Sequence, residues 1–144
     1  MSSSVEIQDL HAHVGETVTL TGWVETTRGH GKVAFAVVRD GTGLAQCVFL
    51  KKNLEESVWE AHGTLTQEST VIVEGEVKLD DRAPGGVELG VTGLEVIHIA
   101  EEYPIQPKEH GVDFLLDHRH LWLRSSMQRA GLRVRHEVQQ AIVD

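Results

Sequence analysis

Between Gly22 and Leu50 the chain carries consecutive strand-like stretches joined by links too short for anything but hairpins. The stretches are Val18 to Glu25, Lys32 to Arg39 and Leu44 to Leu50. The links are Thr27-Arg28-Gly29-His30-Gly31 and Asp40-Gly41-Thr42-Gly43. Parallel neighbours would need a long crossover, so these segments are restricted to an antiparallel meander. Glycine reaches positive φ at little steric cost, which lets Gly29, Gly31, Gly41 and Gly43 reverse the backbone. In the first stretch Val18, Leu20, Gly22 and Val24 alternate with Thr19, Thr21, Trp23 and Glu25, the period of a half-buried strand. A glycine inside that pattern, Gly22, marks a sharp bend or a close approach of another backbone.

Polar residues set which way the strands face. Gln46 interrupts an apolar run, so Leu44, Gln46 and Val48 point outward while Ala45, Cys47 and Phe49 point inward. In the second stretch both phases are largely apolar, and Arg39 alone argues that Val33, Phe35 and Val37 share the outer face with it. Phe35 then lies outside beside Gln46, an unusual place for a phenylalanine unless something stacks on it. The alternative is an ordinary buried Phe35.

The remaining elements complete an order. Val5 to Val14 reads as a lead-in or a helical turn packed on the sheet; His11 and His13 lie two apart, but no suitable third ligand accompanies them, so no metal is expected. Asn53 is placed to cap a helix with Leu54, Val58 and Ala61 on one face, acidic Glu55 and Glu56 in its first turn, and Gly63 at its end. Ser69 to Leu79 returns to strand periodicity, with Val71, Val73, Gly75, Val77 and Leu79 on one face. Asp80 to Gly86 is a loop, and Val87 to Ile99 a last strand bulged at Gly93. Three strands, a helix and two strands is the connectivity of the OB-fold, a mainly β, five-stranded Greek-key barrel that binds ligands on strands two and three and the 1-2 and 4-5 loops. Arg28, Phe35, Gln46 and the Arg82 loop fall on those elements.

A net charge of −9 speaks against general coating of nucleic acid, but the charge is uneven. Residues 22–52 carry five basic groups (Arg28, Lys32, Arg39, Lys51 and Lys52) against Glu25 and Asp40, while residues 53–102 carry two basic against twelve acidic. One basic wall on an acidic body favours a single specific phosphate-binding site. The N-terminus has neither a basic nor an apolar signal region, no apolar run is long enough for a membrane span, and Cys47 is the only cysteine; a cytoplasmic location is expected. From Tyr103 the character changes: Tyr-Pro-Ile-Gln-Pro reads as a boundary, and Ser125 or Ser126 is placed to cap a helix with Met127, Ala130, Val134, Val138 and Ala141 on its apolar face. The expected organisation is a barrel over 1–102, a linker over 103–125 and the first helix of a further domain over 126–144, the chain being read as the beginning of a longer protein.

These motifs carry a resemblance. Gly22-Trp23-Val24, the hairpin Val37 to Gly43 and Gln46 look like the anticodon-binding barrel of the class II aspartyl and asparaginyl-tRNA synthetases. Pro84-Gly85-Gly86-Val87-Glu88-Leu89 and the block from Tyr103-Pro104-Ile105 through Lys108-Glu109-His110-Gly111 and Phe114 to Arg124 resemble the asparagine enzymes in particular. The resemblance implies an ATP- and magnesium-dependent ligase, homodimeric, that attaches asparagine to its tRNA. In it this chain supplies the recognition arm, with no catalytic residue, metal or cofactor of its own, because the two ATP-clamping motifs of the class do not occur. It further implies that Phe35 stacks on the central anticodon base, that Gln46 and Arg28 contact that base or its backbone, that Lys32 holds backbone, and that Glu88 meets another anticodon base; Arg82 is a candidate loop contact. Where aspartyl relatives often carry a run of arginines, this chain has Thr26-Thr27-Arg28, a thinner phosphate grip.

Asp117-His118-Arg119-His120 invites a metal proposal, but the resemblance assigns His118, Arg119 and His120 to a hinge or tRNA-facing role. Two alternatives stand beside the asparagine reading: the same region of an aspartyl-tRNA synthetase, and a free-standing OB protein for single-stranded nucleic acid. The second fits poorly with 5% aromatic residues and one basic wall.

Overall fold

The computed structural model describes residues 3–143 and divides into two compact units, Met1–Glu102 and Tyr103–Asp144. The first holds the strands β1 (Ser3–Ser4), β2 (Thr17–His30), β3 (Val33–Arg39), β4 (Leu44–Leu50), β5 (Thr70–Leu79) and β6 (Val87–His98), with helix α1 (Glu56–Gly63) between β4 and β5. Hydrogen bonding runs β2-β3-β4-β6-β5 and returns from β5 to β2, so five strands close into a barrel of the expected OB connectivity. β1 adds a short parallel pairing at Val18 and Thr19 of β2.

Closure depends on β2 serving two neighbours in succession. Thr17 to Trp23 pair with β5, and Trp23 to His30 pair with β3. The register slips between Val24 and Thr26, so Glu25 is an extra residue that bends the strand. At the bend Gly22 lies under β3: a Cβ there would overlap the Arg39 carbonyl oxygen and stand 2.9 Å from Val38 Cγ1. The close approach expected at this glycine is therefore real.

Two expected turns differ in detail. Thr27, Arg28 and Gly29 are not loop residues: they pair with Ala36, Phe35 and Ala34, and the chain reverses only at Gly31, with φ of 62°, and Lys32. All three are exposed while their backbones stay in the ladder, which composition does not reveal. In the second hairpin the Asp40 carboxylate organises the turn, accepting from the amides of Thr42 (2.7 Å) and Gly43 (2.9 Å), from the Thr42 hydroxyl (2.7 Å), and across the barrel mouth from the Ile7 amide (2.8 Å). Burial pushes the Asp40 carboxyl up, but these donors outweigh it and hold the group below the usual carboxylate range. The α1 cap also differs: Asn53 belongs to a 3-10 turn, Lys51–Asn53, and Glu55 occupies the cap position without a side-chain bond.

The core is filled from the inward positions. Val18, Leu20 and Val24 of β2, Ala34, Ala36 and Val38 of β3, and Ala45, Cys47 and Phe49 of β4 are buried, so the expected phase of all three strands holds. Ile7 and Leu10, from the 3-10 turn Ile7–His13, join the cluster, and Leu54, Val58 and Trp59 pack on it from α1 and the residues before it. Each large apolar side chain so buried contributes ~1.5–3 kcal/mol. Leu79, expected on the inner face, is 66% exposed at the end of β5, where the strand has run past the core. The bulge in β6 falls where Glu74 faces Gly93 and Gly75 faces Val91, leaving Thr92 unpaired beside the glycine expected there.

Arg39 points outward as its strand phase requires, yet it is only 5% exposed. Glu68, at φ 71° in the turn before β5, covers it with bonds of 3.0 and 2.9 Å; Glu25 adds a third at 3.2 Å, and Trp23 lies beneath the guanidinium. Desolvation lowers the Arg39 pKa, but the hydrogen bonds and charges of Glu68 and Glu25 more than reverse this and keep it charged. Glu68 in turn donates its amide to the Val24 carbonyl (2.6 Å), so the ion pair ties this turn to β2 beside its bulge.

The second unit contains α2 (Val112–Asp117), a 3-10 turn over Trp122–Arg124 and α3 (Ser126–Val143). The Tyr103 hydroxyl donates to the Leu121 carbonyl at 3.2 Å. Ser125 does not cap α3 with its side chain; its hydroxyl turns back to the Trp122 carbonyl, while its own carbonyl accepts from the Arg129 amide. The apolar face of α3 is exposed at Met127, Val134 and Val138. No helix among the described residues is long and apolar enough to cross a membrane.

Replacing Gly22 with alanine is expected to lower stability by about 3 kcal/mol, since the Arg39 carbonyl is backbone and cannot move aside. Gly41→Ala, where a Cβ meets nothing within 4 Å, is expected to change stability by less than about 0.5 kcal/mol. Urea unfolding of the two variants checks the contrast.

Candidate nucleic-acid interface

The outer wall of the barrel can be read as two cross-strand rows. One runs Arg28, Phe35, Val48, Gly90, Glu76 across β2, β3, β4, β6 and β5; the next runs Thr26, Val37, Gln46, Glu88, Lys78 across the same strands. Phe35 and Gln46 are therefore diagonal neighbours on the outer wall, with Val48 directly opposite Phe35. Phe35 is partly exposed, not a core residue. Ala34, Ala36 and Val38 take the inward positions of β3, which leaves Phe35 on the outer face.

Three side chains link the rows. Arg28 lies over the Phe35 ring, its guanidinium carbon 4.7 Å from the ring centroid, and donates from Nη2 to Gln46 Oε1 at 2.9 Å. Gln46 donates from Nε2 to Glu88 Oε2 at 3.3 Å. These neighbours leave Gln46 only 9% exposed. The wall thus offers a planar cation on an aromatic face, an amide with donor and acceptor, and a carboxylate that only accepts, which is the equipment for stacking an unpaired base and bonding to its edge.

Other expected residues lie around this centre. Lys32 is exposed at the β2-β3 turn, and its carbonyl accepts the Lys51 amide at 3.0 Å, which brings Lys51 and Lys52 to the same end of the barrel. Arg82, in the β5-β6 loop, is bonded to Asp80 through Nε (3.1 Å) and Nη2 (3.0 Å). Those bonds, then the charge of Asp80 and, more weakly, that of Glu88, raise the Arg82 pKa, while Asp80 is held below the usual carboxylate range. The same loop is pinned from beneath, where His11 Nε2 meets the Gly85 carbonyl.

His118, Arg119 and His120 belong to the second unit. His118 Nδ1 bonds the Phe114 carbonyl (2.9 Å), and its ring packs on Phe114, which also stacks on His110; Arg119 lies over Trp122. Among the described residues no group of three or more His, Cys, Asp or Glu side chains is arranged to hold a metal ion.

Two further side chains belong to the wall, Val48 as its outward phase in β4 required and Lys78, which the sequence did not place there. Lys78 stands opposite Glu88, and its stem lies over Gly90, 3.3 Å from where a Cβ would be. Val48 forms the floor beside Phe35. The alternation of Glu74, Glu76 and Lys78 marks the outward face of β5, but that Lys78 neighbours Gln46's row follows only from the β5-β6-β4 register.

Residues 18–97 match the model of the tRNA anti-codon family, described as an OB-fold nucleic acid binding domain. The asparagine–tRNA ligase of Symbiobacterium thermophilum is 53% identical over 96% of this chain, and that of Roseiflexus castenholzii 54% identical over 92%. The matches cover 32% and 30% of those two proteins, so the chain spans about a third of their length. The crystal structure of asparaginyl-tRNA synthetase from Pyrococcus horikoshii complexed with asparaginyl-adenylate superposes with a TM-score of 0.86 at 40% identity, covering 98% of this chain and 33% of that one.

Cys47, next to Gln46 but facing inward, is fully buried, and burial pushes its thiol up to about 12. The native chain is therefore expected to resist thiol reagents at neutral pH, and its single cysteine to react stoichiometrically once urea unfolds the barrel. Following the absorbance of a released thiol chromophore with and without urea checks this; full reaction of the native chain within minutes would show the wall opens readily.

Proposed function

The chain belongs to the family of OB-fold nucleic acid binding domains that it matches over residues 18–97, and from that premise we propose that it reads the anticodon of asparagine tRNA as the N-terminal part of an asparagine–tRNA ligase. The observation that carries this reading is the Arg28–Phe35–Gln46–Glu88 constellation: one stacking surface with donors and acceptors beside it, on the outer wall of the barrel. The partner is the anticodon stem-loop, whose unpaired bases expose a π-face and a hydrogen-bonding edge. Phe35 takes the central base by stacking, Gln46 reads its edge, Glu88 accepts from a donor edge such as that of guanine, and Lys32 holds phosphate with Arg82 at the rim. His118, Arg119 and His120 take the tRNA-facing or hinge role of the segment that joins the barrel to a catalytic domain beginning near Ser126. Asparagine activation with ATP and magnesium, and homodimer formation, are assigned to the whole ligase, in the cytoplasm. The identity to asparagine–tRNA ligases over nearly the full chain favours asparagine over the aspartate enzyme.

Titration of anticodon stem-loops tests the reading. Phe35→Ala is expected to weaken every loop by the ~1–3 kcal/mol that base–aromatic stacking is worth. Gln46→Ala is expected chiefly to erase discrimination at the central base. Lys32→Ala is expected to lower affinity uniformly and to flatten the salt dependence by about one phosphate contact. Equal binding by the wild type of loops differing at the central base would sink the proposal.

In the absence of the rest of the ligase, the chain is expected to catalyse no asparagine-dependent exchange of pyrophosphate into ATP. Measurable exchange by the purified chain would assign it activation chemistry of its own.

A further inference from the structure

One element grips the rim of the wall from outside it. The 3-10 turn Ile7–His13 precedes the span that matches the family model, residues 18–97. Ile7 and Leu10 are buried in the core, so the turn cannot shift without opening it. The Ile7 and Gln8 amides donate to Asp40 Oδ2 (2.8 Å) and Thr42 Oγ1 (3.1 Å) of the β3-β4 turn. Just past it, the Gly15 amide donates to the Val77 carbonyl (2.9 Å) and the Glu16 carbonyl accepts from the Val77 amide (3.0 Å), which ties the segment to β5. Because β4 and β6 run parallel, the β3-β4 turn and the β5-β6 loop open at the same end of the barrel. The segment is a strap fixed across that end, and from it His11 reaches the β5-β6 loop. Its Nε2 meets the Gly85 carbonyl, which can only accept, so Nε2 carries a proton and donates. The ring also lies against Gly86, with atoms 3.4 and 3.5 Å from where a Cβ would stand.

The loop has little else to hold it. Ala83 is its one buried residue, and among the described residues its other hydrogen bonds close on itself. The Asp80 amide donates to the Gly86 carbonyl (3.1 Å), the Ala83 amide to the Asp80 carbonyl (2.9 Å) and the Gly86 amide to the Ala83 carbonyl (2.9 Å), while Arg82 is clipped to Asp80 through its amide, Nε and Nη2. Gly85 and Gly86, at φ of 74° and 77°, lead the loop into β6, and a glycine pair lets a loop swing unless something ties it. The Arg82 side chain is 90% exposed, its Nη1 donors are left for an anion, and Glu88 of the wall is close enough for its charge to act on the guanidinium. Contacts thus run without a break from the core through the strap, His11 and the loop to the guanidinium. We propose that His11 is a positioning residue for RNA binding: by holding the Gly85 carbonyl to the strap it fixes the β5-β6 loop, and with it the Arg82 guanidinium, in the place from which it meets a phosphate of the anticodon loop. A cation held in place binds without the ordering that a mobile loop would undergo on contact. The inference rests on the anticodon-reading function proposed above and concerns the rim rather than the stacking surface.

Two measurements on the whole chain test it. In the free protein, exchange of the Ala83 and Gly86 amides with solvent is expected to quicken in His11→Ala and to slow again in His11→Gln, whose amide nitrogen reaches about as far as Nε2, while the amides of β3 and β4 keep their wild-type rates. In titrations with an anticodon stem-loop, His11→Ala is expected to lower affinity about two- to tenfold, the cost of ordering the loop on contact, and His11→Gln to recover most of it. In an Arg82→Ala background the same His11→Ala change is expected to alter affinity by less than about twofold, because holding a loop that has lost its cation no longer helps binding. The ratio of affinities for stem-loops differing at the central base is expected to stay at its wild-type value in His11→Ala. A His11→Ala or an Arg82→Ala variant that binds like the wild type overturns the inference and leaves anticodon reading intact. So does a His11→Ala loss undiminished by Arg82→Ala, a changed central-base ratio, no recovery in His11→Gln, or unchanged exchange at Ala83 and Gly86. A wild type that binds no stem-loop overturns the anticodon reading, and the positioning role with it.

Discussion

The barrel depends on the bend in β2. A single strand must pair with β5 along its first half and with β3 along its second, and the pairing partners lie on opposite edges. The turn between them is made with the extra residue Glu25 and the missing side chain of Gly22, which lets the Arg39 carbonyl approach where a Cβ would overlap it. Without that approach β5 and β3 could not both reach β2, and the sheet would keep two open edges. The buried Arg39–Glu68 pair locks the same corner from outside, because Glu68 is itself bonded to the Val24 carbonyl.

The candidate wall follows from closure. Once β6 is brought parallel to β4, Glu88 of the late hairpin stands opposite Gln46 of the early one, 42 positions away along the chain. Arg28 reaches Gln46 from the other side because β2 continues as a strand to His30, which carries Arg28 opposite Phe35. Had the chain turned at Thr27, Arg28 would sit on a loop with no fixed neighbour. The polar chain Arg28–Gln46–Glu88 is therefore built from three strands, and its order, donor, amide, acceptor, is a property of the barrel. Loops contribute charge at the rim, where Lys32 and Arg82 are exposed and the field of each is screened by water and salt.

Much of this was legible in the sequence, and the reasons differ by residue. The phase of β4 followed from one polar residue, Gln46, in an apolar run, and the phase of β3 from Arg39, although Arg39 proved to be an outward residue buried by partners rather than by strand phase. Gly22 announced a close approach but not its partner. The cap assigned to Asn53 failed because a 3-10 turn following β4 uses up Lys51 to Asn53 before α1 begins, and local cap chemistry carries no information about where the preceding strand ends. The Asp40 turn was expected to rely on its glycines, whereas the carboxylate bonds four donors, one of them from Ile7 far away in the chain.

By itself the sequence determined the periodicities, and with them most of the inward side chains of the barrel strands, the order of the five barrel strands with the helix between the third and fourth, and the concentration of positive charge between residues 22 and 52. These are local quantities, set by alternation of apolar and polar residues and by the short links between them. Tertiary structure alone decided which strands are neighbours and in what register. Register places Arg28, Gln46 and Glu88 in hydrogen-bonding contact, lays Lys78 beside them, and covers Arg39 with Glu68. The physical reason is that a hydrogen-bonded ladder is satisfied equally well by any backbone. Its register is chosen by the whole set of inward side chains filling one closed core, a condition that no single segment contains.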